Sequence, residues 1–72
     1  MIEGVIDEFD AYTGVGVVRD YGGERFFFHC VEIADGSRSI DPGTPVCARR
    51  AAGHLGIDEA RVVTPWSRDV VV

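Results

Sequence analysis

The sequence predicts an all-β fold in which five short antiparallel strands close into a small barrel. Three observations carry that expectation. Glycine and proline recur roughly every ten residues, and the segments between them are too short for helices but suit strands. Within those segments apolar and polar side chains alternate with the period of two that a half-buried strand requires. The chain of 72 residues, 46% of them hydrophobic types, has room for one core. A chain this short buries only about 60% of the surface its unfolded form exposes, so that core has to be efficient.

Ile2 to Phe9 reads as the first strand, with Ile2, Gly4 and Ile6 on one face. Phe9 falls out of that phase, which predicts a bulge or sharp bend near residue 8. Asp10-Ala11-Tyr12-Thr13-Gly14 turns the chain into a second strand, Val15 to Arg19. Asp20-Tyr21-Gly22-Gly23 carries the turn chemistry of a hairpin into a third strand, Arg25 to Cys30. There the alternation separates Phe26, Phe28 and Cys30 from Arg25, Phe27 and His29. The polar Arg25 and His29 share a face with Phe27, so Phe26 and Phe28 point inward and Phe27 outward. Val31 to Gly43 is a long connection anchored by Ile33 and Ile40, with turns at Asp35-Gly36-Ser37 and Asp41-Pro42-Gly43.

Val46 to Arg50 forms the fourth strand, and Gly53-His54-Leu55-Gly56 a tight loop. Ile57 to Val63 is the fifth strand, in which Ala60 and Val62 alternate with Glu59 and Arg61. Pro65 ends it. The barrel domain therefore spans residues 1–65, and residues 66–72 form a C-terminal tail whose Val70-Val71-Val72 is free to fray, pack on the barrel or add an edge strand to a partner. Early hairpins with one long connection after the third strand match a closed Greek-key barrel of the OB type. Such a barrel leaves the outer face of its first three strands as a flat platform.

Composition narrows the function. Cys30 and Cys47 allow at most one disulfide, and neither lies in a zinc-finger spacing. The chain opens Met1-Ile2-Glu3-Gly4 without a basic stretch and apolar h-region, and no apolar run approaches the roughly 20 residues of a membrane span. A cytoplasmic protein without membrane attachment is expected. Its seven basic residues are all arginine against twelve acids, a net charge of -5, which argues against strong polyanion binding by counterion release. His29, Cys30, Cys47 and His54 are metal-capable types. Strand alternation turns His29 and Cys30 to opposite faces, which argues against a shared ion and against a nucleophile and base pair. Carboxylates show no spacing that singles out an acid and base. No enzyme activity, metal or cofactor is expected.

From Glu3 to Val63 the chain resembles the bacterial cold-shock domain. Gly4-Val5-Ile6 followed by Phe9-Asp10 is similar to that family's opening strand. Gly14-Val15-Gly16-Val17-Val18 resembles its first ribonucleoprotein motif, normally Lys-Gly-Phe-Gly-Phe and an aliphatic residue. Phe26-Phe27-Phe28-His29 resembles the second, normally Val-Phe-Val-His. Ile33, Pro42-Gly43, Gly53-His54-Leu55-Gly56 and Ala60-Arg61-Val62 follow in the family's order. The resemblance implies single-stranded RNA or DNA binding, with bases stacked on outward aromatics and basic side chains along the phosphates. Carried over by position, the contact set is Phe27, His29, Phe9, Val15 and Val17, with Arg25 and Arg38 as phosphate contacts and Arg49 and Arg50 as further candidates.

Departures from the family pattern predict weak, salt-sensitive binding. Valines at 15 and 17 replace aromatics, Glu8 stands for the usual tryptophan, Asp7 for lysine, Thr13 for the motif lysine and Cys30 for a common aromatic. Each stacked base is worth roughly 1–3 kcal/mol, so these losses remove several kcal/mol, and the two acids add repulsion. The alternative expectation is a protein-interaction module that keeps the barrel and presents Val15, Val17 and Phe27, rimmed by Asp7 and Glu8, to a basic protein partner or a second copy.

Overall fold

A computed structural model describes residues 1–53 and 58–66. The strands are β1 (Ile2–Asp10), β2 (Val15–Asp20), β3 (Arg25–His29), β4 (Pro45–Ala52) and β5 (Asp58–Pro65), with one 3-10 turn at Cys30–Glu32 after β3. They close into a barrel in the order β1-β2-β3-β5-β4. The expected loop around His54 and the expected strand start at Ile57 fall outside the described residues, as does Val70-Val71-Val72. Among the described residues no helix is long and apolar enough to cross a membrane.

The expectation of a wholly antiparallel barrel is corrected. Four of the strand pairs are antiparallel, but β3 and β5 run parallel where Phe27 meets Glu59. Parity requires this: a ring with an odd number of strands cannot alternate direction all the way around. Among the described residues that short parallel seam, extended by a bridge between Ile33 and Val63, closes the circle.

Alternation places the side chains as the sequence dictates. Phe26 and Phe28 are 1% and 4% exposed and fill the barrel with Ile6, Val18, Val46 and Val63, while Phe27 between them is 48% exposed. Ile33 and Ile40 are buried and pin the long connection to the core. Gly16 is buried beneath the Phe28 ring, where a Cβ would approach its carbons to 2.5 Å, so β2 reaches the ring only without a side chain. Asp20 Oδ1 accepts from the amides of Gly22 and Glu24 at 2.9 and 2.8 Å, which tightens the β2–β3 hairpin.

Two bulges set the phase of the outer strands. In β1 the register shifts between Ile6 and Glu8, leaving Asp7 as the extra residue, in agreement with the bend expected from Phe9. In β5 the expected alternation fails. Ala60 is buried, but Val62 is exposed and Val63 takes the core position, because two residues of β5 oppose the single Ala48 between the Cys47 and Arg49 pairs. Val62 adopts φ 53°, and its amide donates to Glu32 Oε1 at 3.2 Å, so a side chain from the 3-10 turn satisfies the bulge.

Arg50 ties one end of the barrel together. Its guanidinium donates to Asp58 at 2.6 Å and Glu24 at 3.1 Å and lies 5.4 Å from the centroid of the Phe26 ring. The hydrogen bond that Arg50 donates to Asp58, with the charge of Glu24, raises the Arg50 pKa above its ordinary value.

Candidate functional site

Cross-strand register builds the outer platform. Val15 lies opposite His29, and Val17 opposite Phe27. Alternation turns Val15, Val17, Phe27 and His29 away from the core and toward the outer face. Glu59 joins them across the parallel seam. Val15, Phe27, His29 and Glu59, with the edge of Phe28, line a shallow recess of about 180 Å³. Phe27 and Val15 are the exposed apolar surface there.

His29 closes β3 and caps the turn that follows. Its Nδ1 accepts from the Val31 amide at 3.4 Å, which in the neutral ring leaves the proton on Nε2. Cys30 Sγ lies 3.8 Å from the same Nδ1, which corrects the expectation that the two residues face apart. Alternation ends at His29, and the 3-10 turn brings Cys30 back beside the ring. Cys30 also packs on Gly14, whose φ of 77° and missing Cβ let the chain pass close to the thiol. Both cysteines carry free thiols, and among the described residues no three His, Cys, Asp or Glu side chains converge on one point.

The arginines are distributed unevenly. Arg25 Nη2 lies 3.0 Å from Asp7 Oδ2 and 2.7 Å from Glu8 Oε2, while Arg19 Nε lies 3.6 Å from Asp7 Oδ1. Arg25 is on β3 and its acidic partners are on β1, so its side chain crosses β2. Val17, the β2 residue opposite both Phe27 and Glu8, is only 7% exposed and adds little to the platform. Phe9 is not on the platform either. Its ring stacks on Phe28 at 6.0 Å between centroids and packs against the core.

Arg38 is exposed in the β3–β4 connection with φ 60° and makes no ion pair among the described residues. The same holds for Arg49, whereas Arg50 belongs to the network with Asp58 and Glu24. The structure thus brings Val15, Phe27 and His29 together, covers Val17, turns Phe9 inward and engages Arg25 with acids. Glu59 is the residue that the sequence reading missed. The parity of a five-stranded ring signalled that one neighbouring pair must run parallel, but only the observed strand order puts that pair at β3 and β5 and so brings Glu59 to the recess. With Glu59 on the recess and Asp7 and Glu8 holding Arg25, the rim is not positive.

No protein-family model matches this chain, and the search of curated proteins finds no match.

Proposed function

We propose that the chain is an OB-type Greek-key barrel of the cold-shock kind that binds single-stranded RNA or DNA weakly through Phe27 and His29. The observation that carries this reading is the Phe27 ring, half exposed beside His29 on the outer face while its two neighbouring rings fill the barrel. A base stacks on Phe27 over the apolar floor of Val15, with the His29 ring beside it. Arg25 reaches a phosphate only by leaving Asp7 and Glu8, so binding is weak and falls with salt. Phe9 supports the site from beneath through Phe28.

Titration with a single-stranded oligonucleotide at low salt, followed by amide NMR shifts, tests the proposal. Perturbations clustered at Val15, Phe27, His29 and Glu59 are expected, and their absence discards it. The pairing of Arg25 with two carboxylates favours a second reading, a docking surface for a basic protein segment. In that case the same resonances respond to a basic peptide and ignore the oligonucleotide.

A further inference from the structure

A second aromatic site stands on the other half of β1. Glu3 projects outward between the buried Ile2 and Gly4, and Tyr21 from the β2–β3 turn, Pro45 at the start of β4 and Trp66 after β5 gather around it. Together they line a cleft of about 200 Å³ that is open to solvent along one side. Backbone hydrogen bonds fix its walls: the Tyr21 amide donates to Glu3 O at 3.2 Å, and the Trp66 amide donates to Pro45 O at 2.8 Å. Along β1 the cleft's Glu3 lies about 17 Å, at about 3.3 Å per residue, from Glu8, and Glu8 is in turn separated from Phe27 by β2 at Val17.

Its charge is unbalanced. Asp7, Glu8, Glu24, Asp58 and Glu59 each pair with an arginine, whereas Glu3 has no ion pair or side-chain hydrogen bond among the described residues. The Tyr21 and Trp66 rings beside it are both more than half exposed. Electron-rich ring faces attract a cation, and an unpaired carboxylate adds Coulombic attraction and a hydrogen-bond acceptor fork. Phosphate is disfavoured here, because the charged group lining the cleft is an acid.

We propose that this cleft binds an arginine side chain of a protein partner, the guanidinium lying against the Trp66 and Tyr21 rings and donating to the Glu3 carboxylate. Arginine fits better than a methylated ammonium. A flat guanidinium stacks on one or two rings and matches a carboxylate edge to edge, whereas an ammonium head needs enclosure that an open cleft does not provide. The net charge of -5 draws basic partners to the whole molecule. The site is independent of the nucleic-acid reading and of Phe27.

Trp66 is the chain's single tryptophan, so its indole N–H resonance and fluorescence report on this cleft directly. The full chain is titrated with a blocked Gly-Arg-Gly peptide and with the counterparts carrying lysine or the uncharged isostere citrulline. The expected result is a saturable shift of the Trp66 signal with arginine, a weaker one with lysine and none with citrulline. Glu3→Gln is expected to weaken arginine binding by about tenfold, with the dispersion of the amide spectrum unchanged. An unsaturable arginine response, an equal response to citrulline or lysine, or full affinity in folded Glu3→Gln overturns the proposal.

Discussion

Replacing Asp7 and Glu8 together, as Asp7→Asn and Glu8→Gln, is expected to strengthen oligonucleotide binding rather than weaken it. The two carboxylates hold Arg25 at 3.0 and 2.7 Å. The exposures of the three side chains run from 29% to 68%, so these are surface pairs. Their combined hold on Arg25 is about 1 kcal/mol, not several. A phosphate placed about 7 Å from each carboxylate in a water-like dielectric also meets repulsion of about 0.6 kcal/mol from each. Removing both effects gains about 2 kcal/mol, or roughly thirty- to fortyfold in affinity. Freed Arg25 adds one phosphate contact, which steepens the slope of log K against log salt by about 0.7. Fluorescence anisotropy of a labelled single strand over a salt series measures both quantities, and a thermal melt confirms that the variant is folded. Unchanged affinity together with an unchanged salt slope refutes the reasoning.

Phe27→Ala is expected to cost about 1–3 kcal/mol of oligonucleotide binding by anisotropy, with little change in the thermal midpoint, because the ring lies outside the core. Phe26→Ala removes a ring that is 1% exposed and costs about 3–5 kcal/mol, close to the whole stability of so small a domain, so amide dispersion is expected to collapse. Val62→Gly relieves a β-branched residue at φ 53°, a strain of about 1–2 kcal/mol, against about 0.5–1 kcal/mol of added chain entropy. Denaturant unfolding is expected to show a net gain, and a loss argues against the strain. Asp35 is held below its ordinary pKa of 3.8, first by the hydrogen bond from the Ser37 amide. A depressed acid contributes stability that is complete above the unfolded pKa and is lost as pH falls through the folded one. The urea midpoint of Asp35→Asn is therefore expected to fall less steeply below pH 3.8 than that of the parent chain.

The legible parts of the molecule are those that follow from alternation along one strand. Arg25 and His29 bracket Phe27 on the polar phase, so the inward pair and the outward ring can be read without a partner strand. Phe9 in β1 breaks the phase that Ile2, Gly4 and Ile6 set, so its bulge is also visible. Features that depend on two or three strands at once were hidden. Val62 faces solvent only because β5 carries one residue more than β4 across Ala48, and Glu32 from another element satisfies its amide. Val17 is only 7% exposed on the strand that lies between Arg25 on β3 and its acidic partners on β1, an arrangement that needs the register of three strands. Cys30 returns to His29 because the strand stops there, and alternation says nothing beyond a strand's end.

The β1 bulge connects the core to the charge of the platform. Strict alternation after the buried Ile6 would place Asp7 outward, Glu8 inward and Phe9 outward, driving a carboxylate into the barrel and a ring out of it. An unpaired buried charge costs many kcal/mol, whereas a bulge forfeits about one ladder hydrogen bond, on the order of 1 kcal/mol. The bulge wins by a wide margin, and Phe9 reaches Phe28 as a result. Its consequence is that Asp7 and Glu8, adjacent in sequence, both emerge on the outer face within reach of the same arginine. The step that keeps an acid out of the core thus fixes the electrostatics outside it. Any ligand that approaches Phe27 meets an Arg25 already held by two carboxylates.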